Sequence, residues 1–152
     1  MRPLALAATV VVLVAFAGAV GGTSEQTAAE ARYALEVEEW CARWWAEYAA
    51  LGQPGTMPEW ASWLARSAPL VTEQEREFAT LGPPASYRGE AARIRAHMAR
   101  EKPITREMHA AARRGDEDTF ERLVASLEPE AREWYDAMRR IGASGCVTDA
   151  TG

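Results

Sequence analysis

The sequence predicts an all-α fold, an antiparallel up-down-up-down four-helix bundle with Pro-kinked helices. Apolar residues recur every three or four positions in four successive segments, which is the period of an amphipathic helix. Clusters of Gly and Pro separate these segments, and no run of β-branched residues alternates as a strand would. Short loops between the segments place consecutive helices side by side in opposite directions. The composition, 48% hydrophobic and 26% charged, is that of a globular protein, and the length predicts one domain.

The first segment predicts export. A positive charge at the N-terminus precedes an apolar run from Leu4 to Phe16, and small residues then lead to Ala19. Residues 1–19 are therefore predicted to be a secretory signal peptide that is cleaved after Ala19, which makes the protein extracellular or part of the cell envelope. One alternative is an uncleaved membrane anchor over residues 3–22, because about 20 apolar residues span a bilayer. A buried core helix is the other alternative.

The first two helices follow this segment. Helix one is predicted over residues 24–51 and ends at Gly52, which suits a left-handed C-cap. Helix two begins near Thr56 or Pro58 and ends at Leu81. Their apolar faces comprise, in turn, Tyr33, Val37, Trp40, Trp44, Tyr48 and Leu51, and then Trp60, Leu64, Val71, Phe78 and Leu81. Pro69 predicts a kink or break after Ser67, because proline cannot donate the interior helical hydrogen bond.

The last two helices are predicted to follow a Gly-Pro-Pro turn. Helix three covers residues 86–113, and Glu101, Thr105 and Pro103 interrupt its apolar face, so a kink or wetted turn is expected there. Helix four begins at Asp116 or Asp118 and ends at Gly142, and Pro129 could split it. The two apolar faces comprise Tyr87, Ala91, Ile94, Met98, Met108 and Ala112, and then Phe120, Leu123, Val124, Leu127, Ala131, Trp134, Met138 and Ile141.

The two cysteines predict a disulfide that attaches the C-terminal tail to helix one. Cys41 lies within helix one, and Cys146 lies in the C-terminal tail, residues 143–152, after the helical region 24–142. In an oxidising compartment such a pair is normally bridged, which predicts a disulfide between Cys41 and Cys146. Because Cys41 is in the middle of its helix, the tail has to fold back along helix one. Two buried free thiols are the alternative if the chain stays in the cytosol.

Several of these positions carry a resemblance to other proteins. They are Cys41, the turn Leu81-Gly82-Pro83-Pro84, the pair Gly115-Asp116, and Ile141-Gly142 followed by Cys146. Together with the signal-like segment, they resemble a group of small exported helical proteins of unknown function from high-GC bacteria. The resemblance implies the helical bundle and the bridge, and it implies no activity. Many members of that group are lipoproteins, whereas this chain has no Cys near the predicted cleavage site.

Charge and histidine content argue against two classes of site. The formal net charge is −5 and Lys102 is the only lysine, so the clustered basic residues that bind nucleic acid are missing. The membrane is expected as a partner only through an uncleaved first segment. His97 and His109 are the only histidines, and neither belongs to a Glu-x-x-His motif. No metal or other cofactor is expected, and His97 is predicted to be a surface residue paired with Glu101.

No catalytic residues are predicted. Ser144 lies in the tail and not in a nucleophile elbow. Acidic groups are plentiful and are predicted to form solvated helix faces; examples are Glu36, Glu38, Glu39, Glu73, Glu75 and Glu77. The chain is therefore predicted not to be an enzyme, although its compartment leaves an exported hydrolase as an alternative.

The tryptophans are the most unusual feature. Five of the six lie in the first two helices, and they are Trp40, Trp44, Trp45, Trp60 and Trp63. They are predicted to fill the core, or alternatively to form an aromatic-lined pocket or exposed patch, with Trp45 the one expected to be exposed or in a groove. The predicted function is a non-catalytic binding or structural component of the envelope or secreted fraction, with a protein partner there. The alternative is a carrier or sensor of a small apolar ligand.

Overall fold

Four α-helices make up most of residues 24–147, the part of the chain that the computed structural model describes. The predicted signal peptide and anchor, and the end of the tail from residue 148, lie outside these residues. The helices are α1 Ser24–Ala50, α2 Met57–Thr80, α3 Arg88–Arg114 and α4 Glu117–Ile141, with short 3-10 helices at Ala85–Tyr87 and Ser144–Cys146. Over the described residues, the all-α prediction is confirmed, and no helix is long and apolar enough to cross a membrane.

Local capping signals explain where the helices begin and end. The carboxylate of Asp116 accepts the backbone N–H of Thr119 at 3.2 Å, so Asp116 is the N-cap of α4. The carboxylate of Glu59 accepts the N–H groups of Gly55 and Thr56 at 2.8 and 2.9 Å just before α2. At the other end of α4, Gly142 has a φ of +91°, a left-handed conformation that glycine adopts without strain.

The helix-interior prolines do not interrupt their helices. Pro69, Pro103 and Pro129 lie within α2, α3 and α4, so the predicted break after Ser67 and the predicted split at Pro129 are wrong. Each proline is exposed, and so is the residue four positions before it. A carbonyl that loses its helical partner in an exposed residue can bond to water instead, which explains how the helices tolerate these prolines.

Two apolar cores lie along the helices. The first core draws on all four helices and the C-terminal turn, and Trp40, Tyr33 and Phe78 are among its largest fully buried side chains. The second core comprises Leu64, Met108, Ala111, Ala112 and Phe120. Burial of each large apolar side chain contributes about 1.5–3 kcal/mol to folding. The apolar face predicted for helix four is correct except at Val124, which is 45% exposed.

The C-terminal turn is docked on α1. Cys41 and Cys146 form a disulfide with their Cα atoms 5.6 Å apart, and Gly145 donates its N–H to a carboxylate oxygen of Glu38 at 3.2 Å. Ala143 is fully buried beneath the turn. The predicted bridge and the predicted return of the tail along helix one are thus confirmed. Closing a loop between residues 105 positions apart removes about 4–5 kcal/mol of unfolded-state entropy in the chain-entropy model.

Trp134 should be one of the costliest side chains to truncate, because it is 5% exposed in the first core. Trp134→Ala is expected to lower the free energy of unfolding by about 3–5 kcal/mol, as large-to-small core substitutions do. Val124→Ala on the same helix is the control and should cost less than about 0.5 kcal/mol. Urea unfolding followed by circular dichroism measures both, and similar losses in the two variants would contradict the packing described for α4.

Candidate ligand-binding groove

All six tryptophans belong to one continuous network of ring contacts. Trp44 on α1 is its centre, with ring centroids 5.7 Å from Trp40, 5.3 Å from Trp45, 5.2 Å from Tyr48 and 5.9 Å from Trp134. Tyr48 continues the network to Trp63 and Trp60 on α2, at 5.3 and then 5.8 Å. These separations are those of favourable offset and edge-to-face aromatic pairs.

The outer rings of this network line an open groove of about 640 Å³, which we call the aromatic groove. Its walls include Trp44, Trp45 and Tyr48 from α1, Trp60 and Trp63 from α2, and Glu101 from α3. The aromatic side chains are half-buried, so part of each ring faces solvent. Pockets for small ligands have volumes of about 300–1,000 Å³ and mostly apolar walls with a few polar groups.

The loop between α1 and α2 closes one end of the aromatic groove and is held by hydrogen bonds. The indole N–H of Trp63 donates to the carbonyl oxygen of Gly52 at 2.9 Å, and Arg66 donates to that of Leu51 at 3.1 Å. Gly52 has a φ of +75°, which turns the chain away at the end of α1. These contacts attach the loop to α2 at the edge of the groove.

Glu101 is the charged side chain in this aromatic wall. It is 36% exposed, and its carboxylate oxygen lies 3.5 Å from Nε2 of His97. It also lines a smaller cavity of about 150 Å³ next to the groove, together with Trp134 and Tyr135. The sequence predicted the His97–Glu101 pair, which is confirmed. The predicted surface position of His97 is wrong, because its side chain is buried, with its ring centroid 6.2 Å from that of Trp134 on α4.

The groove is an unfavourable place for a carboxylate. Burial raises the pKa of Glu101 above its ordinary value, because the charged form loses hydration among the rings. Burial also raises the pKa of Tyr48 to about 12, and the negative charge of Glu101 contributes to this shift. The pKa of Tyr135 is raised by the same two causes. Burial therefore favours the protonated form of Glu101 over the charged form in the folded protein.

The other residues considered from the sequence do not converge on one site. Ser144 is exposed in the C-terminal turn, whereas His97 and His109 both belong to α3. Within residues 24–147, no group of three or more metal-binding side chains could hold a metal ion. Four of the acids instead pair with separate basic residues: Glu36 with Arg32, Glu73 with Arg76, Glu75 with Lys102, and Glu77 with Arg43.

The two interpretations of the tryptophans each hold for some of them. Trp40 and Trp134 are core residues, whereas Trp44, Trp45, Trp60 and Trp63 are half-buried around the aromatic groove, as expected for Trp45. Sequence reasoning missed Glu101 as part of the groove wall. The signal available in the sequence was the presence of this acidic residue among the apolar positions of helix three. It was interpreted only as an interruption of the apolar face.

Comparisons with protein-family models, with curated proteins and with solved structures find no match to this chain. The resemblance to small exported helical proteins therefore stays a prediction. The case for a function depends on the groove itself.

The raised pKa of Glu101 predicts how stability depends on pH. Native Glu101 holds its proton to higher pH than in the unfolded chain, where the pKa is near 4.5. The unfolding free energy should therefore fall as pH rises from 4.5 to the raised pKa, and the loss should persist above it. Glu101→Gln lacks this loss and should be more stable than wild type at pH 7.

Urea unfolding across this pH range measures the effect as the difference between the two proteins. Carboxylates whose pKa is lowered, such as Glu59 and Asp116, stabilise the fold less in acid. Because both proteins contain these residues, their effect on the unfolding free energy cancels in the difference. Stability profiles that run parallel over the whole pH range would contradict the described position of Glu101.

Proposed function

We propose that this protein is a non-catalytic binding protein that holds a small, largely apolar ligand in the aromatic groove. The observation that supports this most strongly is the convergence of four tryptophans and Tyr48 on one open concave surface. A core alone does not need these rings to face solvent, and ring surface left in contact with water lowers stability. A ligand that covers the rings recovers this free energy, at about 25 cal/mol for each Å² of apolar surface buried.

The protein-partner hypothesis has less support from the exposed surface. Among residues 24–147, the exposed large hydrophobic side chains are Leu35 and Val124, at 61% and 45% exposure on α1 and α4. Apolar residues that are exposed singly are ordinary on a soluble protein, whereas interaction surfaces are contiguous patches. The groove is the more specific feature, and the ligand carrier or sensor is therefore preferred to a structural or partner-binding role.

The architecture that holds the groove is, in this proposal, the antiparallel up-down-up-down bundle. Two ring contacts support opposite directions for α1 and α2. Trp40 contacts Phe78 with ring centroids 4.9 Å apart, whereas Tyr48, which is later in α1, contacts Trp63, which is earlier in α2, at 5.3 Å. The contacts between α3 and α4 also support opposite directions for those two helices. The first core joins the start of α3 to the end of α4, and the second core joins the end of α3 to the start of α4.

Export is the remaining part of the proposal. The disulfide between Cys41 and Cys146 is typical of proteins in oxidising compartments, and the first segment has the charge and apolar run of a signal peptide. A binding protein outside the cytoplasm would capture its ligand from the surroundings or the envelope.

Partly filling the groove should weaken ligand binding without loss of the fold. Ala49 lines the groove, and the adjacent Ala50 is exposed outside it. Titrated with the neutral apolar dye Nile red, wild type and Ala50→Phe should enhance its emission equally. Ala49→Phe should bind about tenfold more weakly, as overpacking by one ring costs on the order of 1–3 kcal/mol. The same affinity in both variants, or no binding by wild type, would contradict the proposal.

Export and the bridge can be tested together by the intact mass of the full chain secreted by a bacterial host. The expected mass is that of a chain that begins at Val20, less the mass of two hydrogens. It should not change on treatment with an alkylating agent unless reductant is added. The loss of hydrogens corresponds to the bond between Cys41 and Cys146. An uncleaved chain with two alkylated thiols would instead contradict export and the oxidised pair.

A further inference from the structure

Glu101 is the charged side chain among the residues that line the aromatic groove. The groove therefore combines two features that recognise the same chemistry. The faces of Trp and Tyr rings are negative because of their quadrupole and attract cations. A carboxylate that is partly removed from water attracts a cation more strongly than one at an open surface.

The protein supplies little positive charge to this carboxylate. Within the described residues, the only basic side chain within ion-pair distance of Glu101 is His97, at 3.5 Å. The neighbouring Lys102 pairs with Glu75, and the guanidinium of Arg66 binds the carbonyl of Leu51. Among residues 24–147, no arginine or lysine lines the aromatic groove. The negative potential at Glu101 is therefore left largely uncompensated on the groove side.

The end of α1 adds to this negative potential. Gly52, which follows α1, lines the groove, so the negative end of the helix dipole lies at one side of it. The last turn of α1 itself carries no basic residue, although the guanidinium of Arg66 at the carbonyl of Leu51 offsets part of the dipole. The ring faces and the carboxylate of Glu101 act on the groove with the same sign, and the helix end adds to them only in part.

We propose that the aromatic groove binds an organic cation, a molecule with an apolar body and a quaternary or alkylated ammonium group that lies against the rings and Glu101. This inference rests on the proposed binding function and names the class of its ligand. A neutral apolar ligand would use the rings alone and bring no positive charge to Glu101, whose ion-pair partner in the described residues is His97. An anionic ligand would be repelled by Glu101.

The test compares two probes of the same shape and different charge. Benzyltrimethylammonium carries a quaternary nitrogen, and neopentylbenzene has a carbon in its place. Both are titrated into the full chain and followed by tryptophan emission. The wild type should bind the cation more tightly. Glu101→Gln should weaken the cation about tenfold and change the neutral probe less than about twofold. Glu39→Gln, which removes the same charge from an exposed position on α1, should change neither.

The outcomes separate this inference from the proposed function. The inference is overturned if the wild type binds the neutral probe as tightly as the cation, or if Glu101→Gln weakens both probes equally. The binding function would stand in either case, because the groove still takes apolar molecules. If neither probe nor Nile red binds the wild type, the proposed function itself is wrong. Loss of cation binding in Glu39→Gln would also overturn the role of Glu101, because it would show a general charge effect.

Discussion

A line of ring contacts runs from Phe78 on α2, through the tryptophans of α1, back to α2 and on to Phe120 on α4. It joins the first core at Phe78 to the second at Phe120, where Trp60 lies 5.2 Å away. Each pair of this kind contributes about 0.5–1.5 kcal/mol beyond the area that it buries. Because large rings occupy the boundary between α1 and its neighbours, the helices cannot close over all of them. The aromatic groove follows from this packing.

The position of α1 depends on attachments at several places along the helix. The disulfide at Cys41 holds it to the C-terminal turn, and the indole N–H of Trp40 donates to the carbonyl of Gln74 on α2 at 3.2 Å. The loop after α1 is held by Trp63. These attachments keep the groove open while Glu101 lowers the stability of its wall. A carboxylate in such a place is typical of binding sites, where function offsets a local loss of stability.

Much of the fold could be predicted because its signals are local. The glycine and Asp116 caps act within one helical turn, so helix ends are visible in the sequence to within a few residues. The cysteines could be paired because there are only two. The prolines misled the prediction, since Pro69 and Pro129 break a helix only if the freed carbonyl finds no partner. Whether it faces water depends on how the helices pack.

Periodicity, capping and cysteine count are properties of the chain alone, and they were enough to predict four amphipathic helices, their ends to within a few residues, and the pairing of Cys41 with Cys146. Which tryptophans are core and which line a groove, and the position of Glu101 and buried His97 among them, depended on how the helices pack against one another. Residues on one helical line share a face, but the position of the neighbouring helices determines how deeply each is covered. That depth distinguishes a core residue from one that meets a ligand.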